Sequence, residues 1–151
     1  MPDLSQAGYN KRRSWSDAQL NRVKTVLAQR FIAVSNFTQD TERGIDLIVP
    51  ALTFGVRLRQ MKYANYKDFT LRSSSGSDTS EYDKLLAGNG PDFLFYAYTD
   101  GADIMSGYLV DVQAWRLAVH LGEALPDSRT NKDGSSFVAF KFLPGYSEQL
   151  L

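Results

Sequence analysis

The chain has 151 residues, of which 43% are hydrophobic and 13% aromatic, enough for one ordinary domain with a buried core. Its 17 basic and 17 acidic residues give a formal net charge of zero. This balance excludes both a DNA-coating protein that is basic all over and an acidic mimic of DNA, so any nucleic-acid contact must come from a local patch. The absence of cysteine excludes a disulfide framework, a thiolate zinc site and a cysteine nucleophile.

The sequence also gives expectations for location and domain organisation. No apolar segment typical of a secretory signal is found near residue 1, and no apolar run approaches the ~20 residues of a membrane-spanning helix. We therefore expect a cytoplasmic protein with no membrane partner. The expected organisation is a flexible N-terminal arm (1–13), a single α/β domain (14–146) and a C-terminal tail (147–151).

The first predicted elements are a helix and three strands. Ser16 and Gln19 have capping-box spacing, and Leu20, Val23 and Val26 recur at the spacing of one helix face, which predicts a helix over 16–34. Strand patterns follow at 45–49, 54–61 and 69–73. The link 50–53 between the first two strands is of hairpin length, which predicts that they pair with each other.

The second half of the chain continues the alternation of helices and strands. Asp78 and Glu81 again have capping-box spacing, and Gly88 is typical of a helix C-cap. The remaining predicted elements are a helix at 80–87, an apolar central strand at 91–98, a short strand at 108–110, a helix at 111–121 and a strand at 137–142. The predicted fold class is therefore α/β, a small mixed sheet flanked by helices.

An acidic cluster precedes the second predicted strand. Asp46 lies within the apolar run GIDLIV, where a carboxylate is unfavourable unless it is paired or binds a ligand. Asp46 and Glu42, with Asp40 nearby, could supply the oxygen ligands that Mg²⁺ or Mn²⁺ prefers. The alternative is that Asp46 forms an ion pair with Arg57 or Arg59 on the following strand.

The strand that follows carries alternating arginines. Alternation places Arg57 and Arg59 on one face, where two guanidinium groups can bind phosphate in a bidentate manner. The alternative is an exposed, charged strand face. The nearby bases Lys62, Lys67 and Arg72 favour phosphate.

Aromatic residues are interleaved with these bases. Tyr63, Tyr66 and Phe69 could stack on unpaired bases, although packing within a sheet is the alternative. The candidate nucleic-acid-binding residues are Lys62, Tyr63, Lys67 and Arg72. His120, the only histidine, has no metal-ligand spacing to nearby acids and is interpreted as structural.

The order of elements and acids over residues 15–100 resembles the PD-(D/E)xK nuclease superfamily, and in particular its Holliday-junction-resolvase-like members. The resemblance implies a restriction-endonuclease-like α-β-β-β-α-β core, in which the three consecutive strands form a meander. Asp46 matches the first acid, and the tripeptide Arg57-Leu58-Arg59 stands where the family has E-x-K. Arg57 thus replaces the family's second acid, whose role would pass to Asp40, Glu42 or Glu81.

These observations predict a nucleic-acid-binding protein with a nuclease-like fold, either a metal-dependent DNA endonuclease or a degenerate relative. Asp46, Arg57 and Arg59 are the candidate catalytic residues, and Asp46 and Glu42 the candidate ligands of Mg²⁺ or Mn²⁺. The expected partners are DNA, branched or single-stranded, and a second copy in a homodimer. The alternative is a non-enzymatic phage or mobile-element accessory protein acting through protein–protein contacts.

Overall fold

A computed structural model of the chain describes residues 6–34, 47–48, 51–73 and 80–151. The chain divides into two compact units, Pro2–Leu52 and Thr53–Leu151, and each is described by itself. No helix in the described ranges is both long enough and apolar enough to cross a membrane.

The described residues of the first unit form two helices and a short antiparallel strand pair. Its elements are α1 (Gln6–Ala18), α2 (Leu20–Phe31), β1 (Ala33–Val34) and β2 (Leu47–Ile48). Val23 and Val26 are buried, as their helical spacing predicts. The helical region begins at Gln6, however, so Ser16 lies within α1 and is not an N-cap. Part of the predicted flexible arm is helical, because residues 6–13 include good helix formers that a search for hydrophobic periodicity overlooks.

The described residues of the second unit form two sheets, two α-helices and a 3₁₀ helix. Its elements are β3 (Phe54–Gln60), the 3₁₀ helix (Met61–Tyr66), β4 (Asp68–Ser73), α3 (Glu81–Leu86), β5 (Phe93–Thr99), β6 (Ile104–Asp111), α4 (Val112–His120), β7 (Asp127–Thr130), β8 (Ser136–Lys141) and β9 (Ser147–Gln149). One sheet has the order β3-β5-β6-β9 and the other has the order β4-β8-β7. The prediction of a mixed α/β fold is confirmed.

The apolar strand β5 is central, as its composition predicts. It pairs in parallel with β3 on one side and antiparallel with β6 on the other. Residues 94–99 of this strand are all buried. A continuous apolar run is typical of a strand covered on both faces.

The pairing of β2, β3 and β4 differs from the expected consecutive meander. Within the described residues, β2 pairs with β1, β3 pairs in parallel with β5, and β4 pairs antiparallel with β8 in the other sheet. The expected hairpin across 50–53 lies partly on residues outside the described ones, whereas the expected β3–β4 pairing is wrong. The reason is the 3₁₀ helix at 61–66, which carries the chain from one sheet to the other instead of turning it back as a hairpin.

The core of the second unit is aromatic and lies between the two sheets and the helices. It includes Leu94, Tyr96, Tyr98 and Val110 from the four-stranded sheet, Phe69, Leu71, Val138 and Phe140 from the three-stranded sheet, and Leu85, Val112 and Trp115 from the helical segments. Phe69 is fully buried, and its ring contacts those of Phe140 and Phe142 at centroid distances of 5.8 and 5.4 Å.

The helix boundaries follow local side-chain chemistry. Ser80, not Asp78, is the N-cap of α3: its Oγ accepts from the backbone N–H of Asp83 at 3.2 Å, and the Asp83 carboxylate accepts from the Ser80 N–H at 3.3 Å. After α3, Gly88 adopts a φ of 81°, as expected for a helix C-terminus. These caps fix where α3 begins, and with it the position of Glu81.

Candidate nucleic-acid interface

The predicted binding residues lie on one continuous segment, residues 54–73, which comprises β3, the 3₁₀ helix and β4. We call this segment the basic arch. Its five bases are all exposed: Arg57, Arg59, Lys62, Lys67 and Arg72. Its single acid, Asp68, is buried with 9% exposure. The arch thus presents positive charge from a chain with no net charge.

Arg57 and Arg59 share one face of β3, as the alternation predicts. In the parallel pairing with β5, Arg57 is opposite Tyr96 and Arg59 is opposite Tyr98. Residues opposite each other in a sheet point to the same side. The arginines therefore lie on the side that carries the buried tyrosines, but at the sheet's edge, where both remain exposed.

Strand β4 is held beside this face by two hydroxyl contacts. The Tyr98 hydroxyl donates to the backbone carbonyl of Asp68 at 2.9 Å, and the Tyr96 and Thr70 hydroxyls lie 3.2 Å apart. Further along β4, Arg72 comes close to Arg57. Partial burial lowers the pKa of the Arg57 guanidinium, and the nearby charges of Arg72 and Arg59 lower it further. Arginine nevertheless stays protonated in proteins, so the three residues form a cluster of positive charge, which we call the arginine cluster.

Among the described residues, one acid contacts the arginine cluster. Glu81, the first residue of α3, forms an ion pair with Arg57. The side chain of Arg57 is 50% exposed and that of Glu81 is 22% exposed. Glu81 was one of the carboxylates expected to replace the nuclease family's second acid, and the structure places it on a guanidinium. The alternative partner, Asp46, lies outside the described residues.

The tip of the arch carries exposed tyrosines next to cations. The ring centroid of Tyr63 lies 5.2 Å from Arg59 Cζ and 5.1 Å from Lys62 Nζ, within cation–π range. Tyr63 is 39% exposed and Tyr66 is 55% exposed. Phe69, by contrast, is completely buried, so for this ring the packing interpretation is confirmed and not the stacking one: the alternation of β4 directs it into the core.

Backbone hydrogen bonds hold this tip in place. Lys67 adopts a left-handed conformation with φ 50° and ψ 42°, and its N–H donates to the carbonyl of Ala64 at 3.2 Å. Lys141 Nζ donates to the carbonyl of Tyr66 at 2.8 Å, and the N–H of Phe142 donates to the carbonyl of Lys67 at 3.2 Å. Sequence reasoning missed the role of Lys141, because no local pattern links residues so far apart in the chain.

The expected metal site is not part of the described structure. Asp46 and Glu42 both lie outside the described residues. Within them, no three His, Cys, Asp or Glu side chains converge in a way that could hold a metal ion. Glu81 is the described residue among those expected to replace the family's second acid, and it forms an ion pair with Arg57.

No protein-family model, no curated protein and no solved structure matches the chain. The resemblance to PD-(D/E)xK nucleases therefore stays a prediction from the order of the sequence. The chemistry of the interface residues themselves is therefore the basis for a functional proposal.

Proposed function

We propose that the protein binds nucleic acid through the basic arch. The observation that carries this proposal is charge segregation: residues 54–73 contain five exposed bases, and their single acid is buried. Concentrated Lys and Arg on one surface is the electrostatic footprint of a phosphate-binding protein. Neutral overall charge confines the attraction to this surface.

The arch offers two kinds of phosphate ligand. Arg57, Arg59 and Arg72 present planar guanidinium groups that can bind phosphate oxygens in a bidentate manner. Lys62 and Lys67, at the tip, supply mobile point charges. These bases are spread along the length of the strand, which advances about 3.3 Å per residue. They can therefore contact successive phosphates of one backbone.

A purely structural role for the arginines is the competing explanation. Strand β3 is at the edge of its sheet, and inward-pointing charges on an edge strand discourage pairing with other chains. That role requires no phosphate contact. It therefore predicts no specific effect of the arginines on oligonucleotide binding.

Fluorescence anisotropy of a labelled oligonucleotide against salt concentration separates the two explanations. With Arg57 paired to Glu81, phosphate contacts from the other four bases give a slope of log K against log salt of about −3.6 on duplex and about −2.8 on single-stranded DNA. The double variant Arg59→Gln/Arg72→Gln should make this slope shallower by about 1.8 on duplex and about 1.4 on single-stranded DNA. The charge-matched control Lys24→Gln/Lys132→Gln, at two exposed positions outside the arch, should leave it unchanged. Equal slopes for the two double variants would reject the arch as the binding surface.

Metal-dependent cleavage is a narrower form of the same proposal. It depends on Asp46 and Glu42 and on Mg²⁺ or Mn²⁺, and a restriction-endonuclease-like core would need strand pairing other than that of β3 and β4. The proposal therefore rests on the arch and not on that core. Incubating bound DNA with either metal, with Asp46→Ala as control, tests cleavage directly.

A second candidate function is protein binding, as expected of an accessory protein. It is favoured by three exposed leucines on α4 and the segment after it: Leu117, Leu121 and Leu125, with exposures of 58, 59 and 74%. Exposed apolar clusters of this kind are typical of interaction surfaces. Absence of salt-dependent oligonucleotide binding would make this the leading function.

A further inference from the structure

The tip of the basic arch has a feature that phosphate binding alone does not require. Tyr63 and Tyr66 are three positions apart in a 3₁₀ helix. Side chains three residues apart are eclipsed in this helix, with a rise of about 2.0 Å per residue. The two rings therefore emerge on the same side of the arch tip, about 6 Å apart along the helix axis.

Both rings are accessible at a position where the backbone is fixed. Tyr66 is 55% exposed and Tyr63 is 39% exposed. The backbone carbonyl of Tyr66 accepts from Lys141 Nζ at 2.8 Å, so the backbone below the more exposed ring is anchored to the end of β8. A preorganised aromatic surface loses little conformational freedom when a flat ligand stacks on it.

The charges around these rings indicate which flat ligand fits. Arg59 and Lys62 both lie within about 5 Å of the Tyr63 ring, at 5.2 and 5.1 Å from its centroid. Lys67, immediately after Tyr66, adopts a left-handed φ of 50°, which is unfavourable for a residue with a side chain. A lysine thus occupies a position where glycine would be conformationally easier, directly beside the rings. Aromatic faces flanked by cations are complementary to bases flanked by phosphates.

Resting on the proposed nucleic-acid binding, we propose that the arch selects single-stranded nucleic acid, with an unpaired base stacked on Tyr66 and its neighbour on or beside Tyr63. In a duplex, base faces are covered by the adjacent base pairs, so these rings could meet only the backbone or the groove edges. In a single strand, the faces are open, and stacking tolerates any base. Phosphates on either side reach Lys62, Lys67 and the arginine cluster.

The test compares three labelled ligands of equal length: a single strand, its duplex, and an abasic strand that keeps the phosphates without the bases. The wild-type protein should bind the single strand between about 5- and 150-fold more tightly than the abasic strand, the range expected for one stacked base. Tyr66→Ala should remove most of this difference, whereas Tyr66→Phe, which keeps the ring, should retain it. The affinity for the abasic strand should be the same in all three proteins.

The outcomes separate this inference from the function on which it rests. If the single and abasic strands bind equally well with a steep salt dependence, phosphate binding stands and base stacking is wrong. If Tyr66→Phe behaves like Tyr66→Ala, the hydroxyl and not the ring makes the contact, which also overturns stacking. If none of the three ligands binds, the proposed function itself fails.

Discussion

Replacing Glu81 by glutamine changes stability and nucleic-acid affinity in opposite directions if the arginine cluster binds phosphate. Glu81 pairs with Arg57 and lies in the first turn of α3. Because the Arg57 side chain is 50% exposed, the pair contributes only about 0.2–1 kcal/mol. The favourable interaction of a carboxylate with the helix N-terminus adds about 0.3–1 kcal/mol. The substitution should therefore lower the free energy of unfolding by about 1 kcal/mol.

The same substitution should strengthen oligonucleotide binding. Glu81 competes with phosphate for the Arg57 guanidinium, so phosphate binding must break the ion pair. Neutralising Glu81 removes this energetic cost, which equals the energy of the ion pair. An interaction of about 0.2–1 kcal/mol corresponds to a gain of about 1.4- to 5-fold in affinity. Arg57 also becomes available as a further phosphate ligand, which should steepen the salt slope by about 0.7 for a single strand.

Two measurements on the same samples test this reasoning: urea denaturation for stability, and anisotropy titrations over a range of salt concentrations for affinity and slope. The charge-matched control is Glu123→Gln, an exposed acid in the turn after α4, which should alter neither the slope nor the stability appreciably. Weaker binding by Glu81→Gln, or an unchanged slope, would refute the idea that Arg57 contacts phosphate.

Three further substitutions test the rest of the structure. Lys67→Gly should leave stability unchanged or raise it by up to about 1 kcal/mol, because glycine tolerates the left-handed conformation, yet it should weaken oligonucleotide binding; a loss of stability in urea would contradict this. Burial raises the pKa of Tyr98, so the folded state keeps a proton that the unfolded state loses above about pH 10, and stability should fall as pH rises beyond that point. Tyr98→Phe should cost about 1 kcal/mol at neutral pH through its lost hydrogen bond but show a smaller alkaline decrease, and an unchanged decrease would point to other groups. Gly107→Ala would place a Cβ 2.9 Å from the Phe95 ring and should cost about 1–3 kcal/mol, whereas Gly145→Ala, with no atom within 4 Å of its Cβ, should be tolerated; equal melting temperatures would refute the difference.

The strands that were predicted well are those whose hydrophobic pattern reflects how they are buried. The apolar run of β5 indicated a central strand, and the alternation of Arg57 and Arg59 indicated a shared face, and both are confirmed. In contrast, β7 is exposed throughout and β9 has the polar sequence SEQ. Neither carries an apolar pattern, so neither could be recognised without its partner strand.

Strand order was the least predictable property. The partner of β3 is β5, and β4 pairs with β8 near the end of the chain. The resemblance to the nuclease superfamily implied a meander, and short connections in general favour pairing between consecutive strands. The residues 61–66 contain no glycine or proline that would indicate a change of sheet, and only the packing of Ala64 against the core and the contact from Lys141 reveal why the chain turns there.

The partner of Arg57 was equally hidden. Glu81 lies in a different element, and its position depends on Ser80 capping α3, whereas sequence spacing favoured Asp78 as the cap. An error of two residues in the position of the N-cap changes which side chains the first turn is expected to present. Ion pairs between elements depend on such details, which is why the alternative with Asp46 was equally reasonable from sequence.

The location of the arginines follows from the same physics that makes them available to a ligand. A strand with Arg57 and Arg59 on the inner face could not occupy the centre of the sheet, because guanidinium groups buried without partners are strongly unfavourable. At the edge, their side chains lie beside the core tyrosines and still reach solvent. The edge position therefore avoids burying these charges and leaves the guanidinium groups of β3 open on one side. Arg72 of β4 adds a third guanidinium group there. Among the described acids, Glu81 offsets this charge only in part. A phosphate group on that side would balance the remainder, and this is the physical reason to expect the arch to bind one.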